Sequence, residues 1–236
     1  MKPSFGAVLA LCCAGIVSGA DISGTIVIQR KLTKSKVTSE ALLYGRGITV
    51  ELGKETGDPL SFERTHTIIY LEGQLPPGTG SRANETVELG QEHRQFLPDL
   101  LVVPAGSTVS FPNFDPIFHN VFSLSKARSF DLGNYPKGQT RTVRFPNPGV
   151  VFVNCHLHPN MTASIVVAPN QWATRAEANG DFVLKDVPAG HYTVIAWHKA
   201  AGFFRTQVDV VEGRTPHVEF VIPLAAPNEF PSAAQR

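Results

Sequence analysis

The chain has 236 residues, 42% of them hydrophobic, and sets 21 Lys and Arg against 20 Asp and Glu. Such a length and composition allow one large or two small globular domains and exclude a disordered chain. A formal charge of +1 leaves no basic footprint for nucleic acid or another polyanion.

Met1 to Ala20 carries a single charge at Lys2, an apolar run from Phe5 to Val17, and the small residues Ser18, Gly19 and Ala20 before Asp21. The pattern predicts a secretory signal over residues 1–20, cut after Ala20, and a secreted, periplasmic protein. This run is too short to cross a membrane as a helix, and no later run is longer. Leu11 precedes Cys12 where a lipoprotein anchor generally has a small residue, which argues against lipidation. Cys12 and Cys13 leave with the signal, so Cys155 remains alone and makes no internal disulfide.

Short apolar runs at Ile22–Ile28, Ile48–Leu52 and Thr67–Leu71 read as strands. Between the first two, the Lys- and Thr-rich segment Arg30–Ser39 reads as a solvated loop. Gly73 to Asn84 holds Pro76, Pro77, Gly78 and Gly80 and marks a domain boundary. A second set of strands follows at Thr86–Glu92, Leu100–Val103, Thr108–Phe111, Asn120–Leu124, Thr140–Phe145, Val150–Asn154 and Ala163–Val167. Turn signals lie between them at 104–106, Gly133-Asn134, 136–138 and 146–149. No helix-period stretch interrupts the series, which predicts an all-β antiparallel sandwich with Greek-key connections.

Chemistry gathers in the stretch Val150 to Met161. Alternation places Val151, Val153 and Cys155 on one face of a strand, so a thiol points inward with two valines. The loop that follows adds His156, His158 and Met161. A thiolate, imidazoles and a weak thioether suit copper that cycles between Cu(I) and Cu(II), whereas structural zinc usually draws on several cysteines. One more ligand is expected upstream, and His119 is the candidate.

Gln95-Phe-Leu-Pro98, Val103-Pro-Ala-Gly106, Val109-Ser-Phe-Pro-Asn113, His119-Asn-Val121, Phe130-Asp-Leu-Gly133, Gly149 and Cys155-x2-His158-x2-Met161 together resemble the cupredoxins of the plastocyanin and amicyanin type. The short ligand loop is similar to that of amicyanin, and His119-Asn120-Val121 to the upstream ligand of plastocyanin. This resemblance covers residues 85–170. It implies a single type 1 copper ion held by His119, Cys155, His158 and Met161, with Met161 as the long axial contact. It further implies that Asn120 ties the His119 loop to the Cys155 loop. His158 would lie nearest the surface, within an apolar patch of Phe114, Phe118 and Pro159. His156 departs from the better-known members, which carry Ser, Thr or another residue there. Alternation turns it away from the Cys155 side chain, to the surface or a supporting position.

Beyond Gln171 the pattern changes. Ala176 to Leu184 is a hairpin signal around Asn179-Gly180. Val187-Pro-Ala-Gly190 hands over to Tyr192–Trp197, with further strands near Gln207–Val211 and Val218–Ile222. This half resembles the carboxypeptidase regulatory-like or transthyretin-like sandwich, a fold of about seven strands. About five are visible here, so Ile22–Ile28 and Thr67–Leu71 are expected to complete it. The organisation expected is a signal over 1–20, sandwich strands over 21–75, a cupredoxin over 82–170, the rest of the regulatory-like sandwich over 171–224, and a frayed tail over 225–236.

His66, His191, His198 and His217 have no ligand partner at useful spacing and read as ordinary surface or satisfied histidines. His93 reads as facing water. Asn84-Glu-Thr86 and Asn160-Met-Thr162 fit the glycosylation pattern, but the second would modify the copper loop itself, and both read as chance. No phosphate loop, nucleophile elbow or paired-carboxylate spacing is present. Four protein ligands leave no open position for oxygen or nitrite, so a one-electron carrier serving redox protein partners is expected, not an enzyme. The rival is a copper-binding or copper-delivery protein with an interaction module. Met1 and Met161 are the only methionines, which argues against methionine-rich Cu(I) trafficking.

Overall fold

The computed structural model describes residues 19–33, 58–75 and 86–222. Most of the expected signal, the strand expected at Ile48–Leu52, Asn84 and the expected tail lie outside the described residues. In chain order the elements are β1 (Gly19–Ile28), α1 (Ser61–Thr65), β2 (Thr67–Glu72), β3 (Thr86–Glu88), β4 (Gly90–Glu92), β5 (Gln95–Leu97) and β6 (Leu100–Pro104). Then come β7 (Thr108–Pro112), β8 (His119–Ser125), β9 (Arg128–Tyr135), β10 (Thr140–Arg144), β11 (Gly149–Asn154) and β12 (Thr162–Ala168). The last are β13 (Ala173–Arg175), β14 (Asp181–Pro188), β15 (Gly190–His198), β16 (Gly202–Val210) and β17 (His217–Ile222). Architecture is all-β, as composition and patterning predict.

The strands stack in layers. One sheet runs β14-β1-β17 and its partner β13-β2-β15-β16, so strands from both ends of the chain share hydrogen bonds. Ile22, Ile26, Ile69, Leu71, Val194 and Phe220 fill the space between these two sheets. The other pair is β6-β12-β11-β8-β9 facing β10-β7-β3, with Val109, Phe111, Val121, Val151, Val153 and Ile165 between them. A third core joins the two sandwiches: Ile68, Tyr70, Ile195 and Trp197 meet Leu100, Val166 and Ala168.

That third core explains the sequence of the central strands. Alternation sends Ile69 and Leu71 of β2 to one core and Ile68 and Tyr70 to another, so β2 is buried on both faces and reads as a continuous apolar run. β12 does the same with Ala163, Ile165 and Val167 against Val166 and Ala168. By contrast β1, covered on one side, keeps strict alternation. Truncating Ile69 to Ala would leave a cavity costing about 2–5 kcal/mol. Gly24 of β1 is required by close approach, because a Cβ there would collide with the Phe182 ring and the Val218 carbonyl.

Several expectations are corrected by the structure. The sandwich is not wholly antiparallel, because β6 pairs with β12, β3 with β7 and β1 with β17 in parallel. The Asn179-Gly180 reversal is no paired hairpin: β13 bonds to β2 and β14 to β1, so this turn carries the chain from one sheet to the other. Gly133-Asn134 is no inter-strand turn. Gly133, at φ +64°, lies within β9, where the register with β8 shifts between Asn120 and Phe122 as in a bulge. The segment Thr86–Glu92 breaks into β3 and β4 around Leu89, whose side chain is fully buried. Finally, α1 is helical although no helix is expected, a single turn too short to show a helical period.

Candidate metal centre

The loop between β7 and β8 is braced before any ligand is placed. Asn113 Nδ2 donates to the Ile117 and Tyr135 carbonyls at 2.9 and 3.0 Å, while its Oδ1 accepts the Asp115 N–H at 3.0 Å. Asp115 in turn accepts the backbone N–H groups of His93 and Arg94, each at 2.8 Å. Its Oδ2 lies 2.7 Å from His119 Nε2. Burial alone would raise the Asp115 carboxyl, but the Arg94, His119 and His93 donors together hold it below its ordinary value. A carboxylate only accepts, so the His119 proton sits on Nε2 and Nδ1 presents a lone pair.

Nδ1 of His119 faces the loop after β11. It lies 3.1 Å from His158 Nδ1, and the Cys155 sulfur lies 3.7 Å from that same His158 nitrogen. Ligand atoms of His119, Cys155 and His158 all fall within 4.8 Å of one another. Cys155 is buried in the sandwich core with Val151 and Val153, as alternation requires, and Met161 is buried in the same core. The Met161 N–H donates to the His158 carbonyl at 2.9 Å, which closes the loop into a turn. Burial lowers the His158 pKa, and the neighbouring His119 and Arg94 lower it further. A thiol and two imidazole nitrogens converging on one point are a donor set for a soft or borderline cation.

Asn120 joins the two loops. Its N–H donates to the Cys155 sulfur at 3.4 Å, its Oδ1 accepts the His156 N–H at 3.4 Å, and its Nδ2 donates to Asp131 at 2.7 Å. His156 turns away from the cluster, stacks on Phe122 at 3.7 Å between ring centres, and sits 3.6 Å from Asp131. Phe114 and Phe118, flanking the His119 loop, are exposed at 46% and 55%. Pro159 is also exposed, and His158 is partly so.

The other histidines find ordinary partners. His66 meets Asp99 at 3.1 Å, His191 meets Asp209 at 2.6 Å and His217 meets Ser23 at 3.3 Å. His198 is fully buried beside Glu63 at 3.1 Å. His93 is exposed and contributes only its backbone. Sequence reasoning missed Asp115, although its position four residues before His119 was a usable signal, since a ligating histidine usually donates its second N–H to a carboxylate or carbonyl.

No protein-family model matches the chain, and no curated protein does either. Similar solved structures include a copper-containing nitrite reductase from Thermus scotoductus SA-01, at 24% identity and TM-score 0.34, over 35% of this chain and 22% of that one. A purple cupredoxin from Nitrosopumilus maritimus is 21% identical with TM-score 0.32, over 35% of this chain and 99% of that one. Amicyanin from Paracoccus versutus is 25% identical with TM-score 0.32, over 35% of this chain and 81% of that one. The chain therefore spans under a quarter of the reductase's length. The functional reading rests on the side chains of the cluster.

Proposed function

We propose that this chain is a secreted, periplasmic type 1 copper protein that carries single electrons between redox protein partners, with His119, Cys155, His158 and Met161 as ligands. The observation that carries this reading is the convergence of His119 Nδ1, Cys155 Sγ and His158 Nδ1 within 4.8 Å. Copper supplies a one-electron couple when bound. The chain's own part is rigidity: Asp115 fixes the His119 tautomer, Asn120 donates to the sulfur, and a packed core surrounds Cys155 and Met161. A braced donor set changes little between oxidation states, which keeps reorganisation small. Four protein ligands would leave no open coordination position for oxygen or nitrite, and the reading is of a carrier rather than an enzyme.

We also propose that residues 82–170 are a copper-binding sandwich inserted into a regulatory-like sandwich built from residues 21–75 and 171–224. The hydrogen bonding of β1 to β14 and β17, and of β2 to β13 and β15, supports that division. Among the described residues no helix is long and apolar enough to cross a membrane.

The deciding experiment is the visible absorption spectrum after addition of Cu(II), recorded beside Cys155→Ser. An intense thiolate-to-copper band in the wild type, absent from the variant, is expected. A colourless wild-type complex would overturn the type 1 reading.

A further inference from the structure

Beside the loop that carries Met161, at the junction of the two sandwiches, lies a cavity of about 1090 Å3. Its walls combine apolar side chains, Phe62, Leu97 and Leu100 among them, with a few polar groups, the usual make-up of a small-molecule site. Ser164, on the outward face of β12, lines this cavity with its residue only 2% exposed, and its hydroxyl finds no hydrogen-bond partner among the described residues. A buried hydroxyl without a partner calls for an explanation, and a ligand oxygen would supply one.

Charge decides the class of ligand. Among the described residues two carboxylates line the cavity, Asp58 and Asp99. Both are committed, Asp58 to Arg64 and the Leu60 N–H, Asp99 to His66. Lys31, itself exposed, brings positive charge to the same walls. An anion with an apolar body fits that balance, its charge toward Lys31 and its body against the apolar wall.

We infer that the cavity binds a small organic carboxylate with an apolar body, and that its occupancy is felt at the copper loop. The second clause rests on the reading of Met161 as a ligand. Asn160 and Thr162, the residues on either side of Met161, both line the cavity, so a bound molecule would press on the segment that holds the thioether.

The test is a titration of the ¹⁵N-labelled protein with sodium benzoate, first metal-free and then with Cu(I). Sodium acetate, a charge without a body, and benzyl alcohol, a body without a charge, serve as partial probes. Saturable shifts are expected at the Asn160, Thr162 and Ser164 amides, with benzoate binding about tenfold tighter than either partial probe. Ser164→Leu should abolish these shifts by filling the cavity, and the exposed substitution Lys31→Gln should weaken benzoate about threefold or more without touching the fold. Shifts confined to other regions, or equal affinity for all three probes, would overturn the site. In a separate titration of the Cu(II) form, a visible band unmoved by saturating benzoate would overturn the coupling to copper. Benzoate binding by a protein that takes up no copper would keep the cavity while removing the type 1 reading.

Discussion

His119 and His198 are both fully buried, and each has a carboxylate against its Nε2, Asp115 at 2.7 Å and Glu63 at 3.1 Å. Their second nitrogens differ. Nδ1 of His119 faces another imidazole and a thiol, whereas Nδ1 of His198 accepts the Ala200 N–H at 3.2 Å. One ring is left with an unused lone pair among soft donors, the other is closed off by backbone. The carboxylates differ as well. Glu63 accepts the Leu32 and Thr33 N–H groups and the Thr33 hydroxyl at 3.1, 2.9 and 2.6 Å, and so ties α1 to the end of β1. A buried His–carboxylate pair is therefore not a functional signature in itself. What the second nitrogen meets separates a ligand from a brace.

The comparison can be broken most strongly at Glu63. Glu63→Ala strands three donors and the His198 ring, and should cost about 3–5 kcal/mol of stability. Urea unfolding would measure the loss, with copper uptake of the folded fraction unchanged. At the other pair the effect should move from stability to metal. Asp115→Asn should lower copper affinity about 10–100-fold while costing only about 1–3 kcal/mol, as read by competition with a chelator and by unfolding.

Acid should also distinguish the pairs. Burial holds the His198 imidazole below its ordinary 6.5, against the pull of Glu63. The unfolded chain then takes up the proton first, so this ring's contribution is present above pH 6.5 and is lost as pH falls toward the folded value. Glu63 adds to the loss below 4.5: burial raises its carboxyl, but the Thr33 and Leu32 donors and His198 outweigh that and hold it low. Wild-type stability should fall by up to about 1.4 kcal/mol per pH unit more steeply than that of His198→Gln just below pH 6.5. Parallel slopes would contradict a buried, neutral His198. The smallest effect is expected at His156→Phe, which keeps the stack on Phe122 and should change stability by about 0.5 kcal/mol or less and leave the visible band in place.

Some features of the chain were local enough to read. Inward alternation of Val151, Val153 and Cys155 needs only the two-residue period of a strand, and the spacing from Cys155 to His158 and Met161 needs only a short loop. Asp115 was legible in principle from its offset to His119, but which of several acidic residues would receive Nε2 depended on how the His93-Arg94 backbone came to meet it. The glycine at 133 announced a positive φ, yet a turn and a bulge make the same demand on one residue, and β8 across the sheet made it a bulge. Likewise the Asn179-Gly180 reversal was plain, while the partners of its two flanking strands were not.

By itself, then, the sequence determined the all-β class, most of the turn positions, the burial of Cys155 and the donors offered by one loop, because each depends on neighbours a few residues away. Tertiary structure alone decided that β1 lies between β14 and β17 and β2 between β13 and β15, that β2 and β12 are covered on both faces, and that Ser164 fronts a cavity between the sandwiches. Pairing across such separations is chosen by which apolar faces can cover one another, a property of whole sheets that no single stretch of chain encodes.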